Sequence, residues 1–88
     1  MRSYQGTGHL LHAGHDAGTV RYWVDVREAT AQRIGEISGR VAGELNWFRL
    51  VGEDFVLVLQ DGTRWECMLV NGSGRLANRG HKGLLATP

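Results

Sequence analysis

The sequence predicts a small all-β domain, an antiparallel barrel or barrel-like sandwich of five to seven short strands. Residues 19–28 alternate apolar and polar side chains with a period of two, as a half-buried strand does. Glycine makes up 13 of the 88 residues, about twice the usual 7%, which favours tight turns and bends. A closed barrel leaves no exposed strand edges, so we prefer it to the sandwich.

The first half of the chain carries the clearest strand, residues 19–28. Its apolar members Val20, Tyr22, Val24 and Val26 alternate with Arg21, Trp23, Asp25 and Arg27. We expect a shorter strand at residues 6–12 and a turn over residues 13–18. Residues 28–33 are long enough for one helical turn only. Further strands are predicted at residues 34–41 and 46–51.

The second half predicts a hairpin in which Asp61 and Gly62 turn the chain between two apolar runs. Its strands are residues 55–60 and 63–70, with Gln60 opposite Thr63, and residues 75–78 form the last strand. The tail, residues 80–88, shows no periodicity and is expected to be loose. No linker or repeat divides the chain, so residues 1–88 are interpreted as one domain.

The hairpin also suggests self-association. A two-residue loop places Val58 opposite Trp65 and Val56 opposite Cys67. One face then holds Val56, Val58, Trp65, Cys67 and Leu69, and the other holds Phe55, Leu57, Leu59 and Met68. A three-residue loop would shift this pairing, but each strand would keep two apolar faces. Two apolar faces require cover on both sides, and so short a chain has little material for a second layer. We therefore predict a homo-oligomer with Phe55, Leu57, Leu59 and Met68 as interface candidates.

No residue pattern indicates catalysis, a metal site or a cofactor. His9, His12 and His15 are three residues apart, so on a strand they point alternately to opposite faces and do not converge on one ion. Cys67 is the single cysteine, and its apolar and acidic neighbours favour a buried, unreactive thiol. The glycine pairs at 6 and 8 and at 72 and 74 precede no helix, so they lack the anion site of a phosphate loop. The expectation is a protein that is not an enzyme.

Arginines interleaved with aromatics form the one candidate binding surface. If the valine face of residues 19–28 is core, Arg21, Trp23 and Arg27 share the outer face, and Trp47 and Phe48 with Arg49 form a second group. Rings that stack on bases beside arginines that meet phosphates are typical of barrels that bind single-stranded nucleic acid. The alternative is that Trp23 packs against a neighbouring element or subunit. Asp25 and a net charge of only +1 count against a polyanion groove.

The strand number and glycine pattern resemble those of small nucleic-acid-binding barrels of the oligonucleotide-binding type. The chain has no cold-shock motif, and the resemblance assigns no functional residue. Our first hypothesis is therefore a non-catalytic binding or interaction module that self-associates, with a protein as a further partner class. A single-stranded nucleic-acid-binding protein is the alternative. The single cysteine and the lack of a long apolar run favour a cytoplasmic protein without membrane segments.

Overall fold

The computed structural model describes residues 2–27 and 36–79, and these form a closed antiparallel barrel. The predicted all-β class is confirmed. Around the barrel the strands follow the order β1-β2-β3-β6-β5-β4, and β4 pairs with β1 to close it. The elements are β1 (Arg2–His12), β2 (His15–Arg27), β3 (Glu36–Ala42), α1 (Trp47–Leu50), β4 (Asp54–Val58), β5 (Arg64–Leu69) and β6 (Arg75–Asn78).

The hairpin β1–β2 joins the two longest of the six strands of the barrel. Its turn needs only Ala13 and Gly14, both at positive φ, so the expected turn over residues 13–18 is too long. The far end of β1 then pairs with β4 to close the barrel. At this seam Gly8 has no room for a side chain, because a Cβ there would collide with the Val58 carbonyl oxygen.

Inward-facing side chains fill the barrel. The predicted valine face of β2 is part of this core, as are residues from every other strand. Trp65 is fully buried, and its Nε1 donates a hydrogen bond to Asn78 Oδ1 at 2.9 Å. The buried residues are Leu10, Val20, Tyr22, Val24, Val26, Ile37, Val41, Phe55, Leu57, Leu59, Trp65, Cys67, Leu69 and Leu76.

The β4–β5 hairpin exists, but its predicted register is wrong by one residue. Leu57 lies opposite Trp65 and Phe55 opposite Cys67, because the loop has three residues. Gly62, at φ 90°, donates its N–H to the Leu59 carbonyl, which is the bulged type I turn of a three-residue hairpin loop. The shift places the large apolar residues of both strands on one face, inside the barrel.

The expected strand at residues 46–51 is also wrong. Residues Trp47–Leu50 form a single helical turn, in which the Arg49 N–H donates to the Asn46 carbonyl at 3.1 Å. Its apolar residues recur at helical rather than alternating spacing, and none is fully buried. The helical turn expected at residues 28–33 and the tail at residues 80–88 lie outside the described residues.

Candidate functional site

Trp23 stands at the centre of the outer surface formed by β1, β2, β3 and β6. The β-ladder aligns one outward residue from each of these strands in a row, namely Gln5, Trp23, Arg40 and Arg75. Trp23 is partly buried and points outwards, since the valines flanking it in β2 point into the core. Its ring is therefore partly exposed at the surface, while its backbone is held by pairing on both sides.

Two arginines flank this ring, and a third lies one strand further away. The Arg40 guanidinium carbon lies 4.9 Å from the Trp23 ring centroid, and that of Arg21 lies 5.8 Å from it. Arg75 is the cross-strand neighbour of Arg40. Within the described residues, no carboxylate lies within ion-pair distance of these three guanidinium groups. The surface therefore concentrates positive charge around an aromatic ring.

An open cleft of about 490 Å³ lies on one side of Trp23, and we call it the Trp23 groove. Its lining residues are Trp23, Asp25, Ser38, Gly39, Arg40, Asn71, Ser73 and Arg75. They come from β2, β3, β6 and the loop before β6.

Hydrogen bonds within the loop before β6 shape the far wall of the groove. The Asn71 Oδ1 atom accepts from the Ser73 N–H at 3.0 Å and from the Ser73 hydroxyl at 2.6 Å. It also accepts from the Arg75 N–H at 3.3 Å. This side chain thus replaces backbone pairing in the turn, as asparagine commonly does. The wall that faces Trp23 is set by these bonds.

A second, smaller hollow of about 200 Å³ lies against β1, and we call it the Thr7 hollow. Its lining residues are Gln5, Gly6, Thr7, Arg21, Tyr22 and Trp23. Trp23 belongs to both cavities, and each contains at least one of the arginines that flank it. The ring is therefore a partition between two polar cavities.

The structure brings together only part of the predicted surface. Arg21 and Trp23 lie at the two cavities, whereas Arg27 lies beyond Asp25 and opposite Glu36. Trp47 packs partly against the core, Arg49 is exposed on α1, and neither lines the groove.

Sequence reasoning missed Arg40, Arg75, Asn71 and Ser73 as partners of Trp23. They are distant in the chain, and the β3–β6 pairing that unites them leaves no local pattern. The turn-forming sequence of residues 71–74 was the one signal that a shaped loop lies here.

The interface candidates are placed differently from the prediction. Phe55, Leu57 and Leu59 are 0–3% exposed inside the barrel, so they present no surface to a second subunit. Met68 alone faces outwards, half-buried. The one-residue register shift accounts for this correction, because it moves these three side chains to the same face as Trp65.

Other reactive groups are dispersed or buried. Burial raises the pKa of the Cys67 thiol to about 12. His9 lies 3.6 Å from Asp16, and His12 lies 3.5 Å from Glu53. Among the described residues, no three His, Cys, Asp or Glu side chains are grouped as a metal site would need. Within the same residues, no helix is long and apolar enough to cross a bilayer.

Comparison with protein-family models gave no match, and neither curated proteins nor solved structures gave one.

Proposed function

We propose that this chain is a non-catalytic binding module that takes an anionic ligand in the Trp23 groove. The observation that carries the proposal is the direct cross-strand pairing of Arg40 with Arg75, neither of which forms an ion pair with a carboxylate of the described residues. Like charges directly opposite each other destabilise a sheet. A bound anion would offset that repulsion and accept charge-assisted hydrogen bonds from both guanidinium groups.

The side-chain chemistry supports binding rather than catalysis. Catalytic acids, bases and nucleophiles are commonly groups whose pKa burial or neighbours have shifted towards neutrality. In the described part of the chain no polar or charged side chain is buried, and the raised pKa of Cys67 keeps its thiol protonated at neutral pH. The groove itself offers arginines, hydroxyls, an amide and the Asp25 carboxylate, and all of these groups can recognise a ligand by hydrogen bonds without transforming it.

Titration with a short linear polyphosphate, an anion without bases, tests the proposal. At low salt we expect amide shifts in NMR spectra at β3, β6 and the loop before β6. Replacing Arg40 or Arg75 by glutamine should weaken binding by roughly tenfold or more, since a hydrogen bond to a charged group contributes about 1.5–3 kcal/mol.

The matched control is Arg64→Gln, which removes the same charge from the outer face of β5 and should leave the affinity unchanged. If Arg64→Gln weakens binding as much as Arg40→Gln does, attraction is general and the groove is not the site. If the parent protein binds no polyphosphate at low salt, the proposal is wrong.

Self-association is a second proposal, with a different surface from the one first expected. Leu11, Val56, Val58 and Met68 form a half-buried apolar patch on the outer faces of β1, β4 and β5. A second copy covering this patch would remove it from water. Sedimentation at tens of micromolar should show a dimer, and Met68→Lys should yield a monomer that keeps its fold.

We also propose a cytoplasmic location. The protein's single cysteine is buried and forms no disulfide. Such cysteine use fits a reducing compartment. Expression as a fluorescent fusion tests this, and export of the fusion would contradict it.

A further inference from the structure

We propose that the ligand of the Trp23 groove is a single strand of nucleic acid lying across the strands of the barrel with one base stacked on Trp23. This inference rests on the proposed function and names its ligand class. It follows from the arrangement of the cavities around the ring, from a second exposed ring near the groove, and from the row of polar acceptors beside the arginines.

Positive charge lies on both sides of the Trp23 ring. Arg21 lines the Thr7 hollow, while Arg40 and Arg75 line the Trp23 groove. A base inside a polynucleotide likewise has one phosphate before it and one after it. Stacking requires the Arg21 or Arg40 guanidinium group to move off the ring, and the base would then have its two flanking phosphates near the two cavities. An isolated phosphate would not stack on the ring. A mononucleotide has a phosphate group on one side of its base only, so it would place a phosphate in one of the two cavities.

The row of outward residues that contains Trp23, Arg40 and Arg75 is also long enough for an extended ligand. Gln5, Trp23, Arg40 and Arg75 lie on four adjacent strands, so the row spans three interstrand spacings of about 4.8 Å, or roughly 14 Å. The row ends at the loop that carries Asn71 and Ser73.

A second aromatic platform lies behind that loop. Phe48 is 83% exposed, and its ring rests on Gly72, where an added Cβ would approach within 2.5 Å of the ring. Gly72 lies between Asn71 and Ser73, the loop residues that line the groove. A strand leaving the groove over this loop would meet Phe48, whose large exposed face has no cover in the described structure. Successive stacking on separate rings is how small barrels hold single strands.

Acceptor groups lie beside the arginine row and suit the edges of bases. Asp25 and Ser38 are cross-strand neighbours one row along from Trp23 and Arg40. Asp25 accepts one hydrogen bond, from the Ser3 hydroxyl at 2.8 Å, and its carboxylate has further acceptor positions. A carboxylate repels phosphate but accepts from the exocyclic amine of cytosine. Bases are therefore expected on the Asp25 side of the ligand and phosphates on the Arg75 side.

The test compares three labelled chains of equal phosphate number, namely oligo-dC, oligo-dT and an abasic deoxyribose-phosphate chain. A length of about 12 units falls within the roughly 4–16 nucleotides that one small barrel covers. Fluorescence anisotropy at low salt should show both base-bearing chains binding at least about tenfold more tightly than the abasic chain. Oligo-dC should bind more tightly than oligo-dT, and Asp25→Asn should reduce that difference.

Variants at the two rings separate stacking from charge. Trp23→Leu keeps an apolar side chain but has no ring, so affinity for the base-bearing chains should fall roughly 5- to 150-fold and approach that of the abasic chain. Trp23→Phe should restore part of the loss. Phe48→Leu should weaken a chain of about 12 nucleotides but not one of about 4. Arg40→Gln should weaken every chain, and should lower the slope of log affinity against log salt by about 0.7 per lost contact.

The outcomes distinguish this inference from the proposed function. If the abasic chain binds as tightly as oligo-dT, and Trp23→Leu changes neither, the ligand is an anion other than nucleic acid. The binding module then stands, and this inference is wrong. If none of the three chains and no polyphosphate binds at low salt, both proposals are wrong.

Discussion

Two sides of the barrel differ in how their charged side chains are arranged. On the wall formed by the outer faces of β4 and β5, charged residues of both signs are interspersed, and Asp54 lies 3.3 Å from Arg79. On the wall formed by β2, β3 and β6, Arg40 and Arg75 stand side by side, and no carboxylate of the described residues lies within ion-pair distance of either, although Asp25 lines the same groove. The first arrangement stabilises a surface, whereas the second stores repulsion that a ligand can relieve.

The comparison shows why net charge misleads in so small a protein. A net charge of +1 counted against a polyanion groove in the sequence. That charge is a sum over the whole chain and does not show where the charged residues lie. The charge around Trp23 differs from that sum, because Arg21 and Arg40 lie within a few ångströms of the ring and Asp25 is the one carboxylate among the described residues that line the groove. Charge within about a Debye length, roughly 8–10 Å in cellular salt, determines what such a surface attracts.

The prediction with the largest expected effect on stability concerns the inner face of β4 and β5. Leu57→Asp places a carboxylate at a position with no exposure, which should cost about 4–5 kcal/mol or more, comparable with the whole stability of a small domain. Val56→Asp, one residue away on the outer face, should keep a cooperative unfolding transition. Urea denaturation followed by tryptophan fluorescence compares them. A folded Leu57→Asp monomer would contradict the register described above.

A second prediction tests the seam where β1 joins the two walls. Gly8→Ala should lower the free energy of unfolding by about 1–3 kcal/mol, because its Cβ meets the Val58 backbone and neither strand can yield. Gly6→Ala is the matched control on the same strand. Its Cβ meets the flexible end of Gln60 at 2.7 Å, which can move aside, and the Tyr22 hydroxyl at 3.0 Å, so it meets side chains rather than backbone. Thermal denaturation should show the larger loss for Gly8→Ala, and equal losses would mean that the seam is not closed there.

The third prediction compares the charges themselves. Arg75→Gln should raise the free energy of unfolding by a few tenths of a kcal/mol, since it removes a like-charge cross-strand pair. Arg79→Gln makes the same change of charge four residues later. It should lower stability by up to about 1 kcal/mol by breaking the exposed ion pair with Asp54. Denaturation at low salt should show a gain of stability for Arg75→Gln and a loss for Arg79→Gln. A loss of stability in Arg75→Gln would contradict repulsion between Arg40 and Arg75.

The prediction with the smallest expected effect concerns Asp61 in the β4–β5 turn and the loss of stability at acidic pH. Hydrogen bonds from the Thr63 side chain and backbone hold the pKa of Asp61 below its ordinary value of 3.8. A pKa depressed by folding adds stability above the unfolded value, and this is lost as pH falls from about 3.8 through the folded pKa. Asp61→Asn keeps the acceptor for the Thr63 N–H but does not titrate. Its stability should therefore fall less between pH 5 and pH 2 than that of the parent protein, and identical slopes would exclude this contribution.

Local patterns in the sequence predicted several parts of this structure. The alternation of valines with polar residues fixed the inner and outer faces of β2, because side chains of a strand point alternately to two sides. That alternation placed Arg21 and Trp23 on the outer surface. The Asp61–Gly62 turn and the last strand were also predicted from short-range signals.

Two features of the structure could not be predicted from local patterns in the sequence. The hairpin register depends on whether its loop has two or three residues, and the same Asp-Gly sequence serves both. The helical turn at Trp47–Leu50 is half-buried against a core that other elements build.

The sequence alone therefore determined the all-β class and the outward position of Trp23, since both follow from the spacing of neighbouring residues. Only the tertiary structure decided that Arg40 and Arg75 lie beside it. Their Cα atoms are paired across strands separated by 35 positions in the chain, and such pairing follows from closure of the barrel as a whole rather than from either strand.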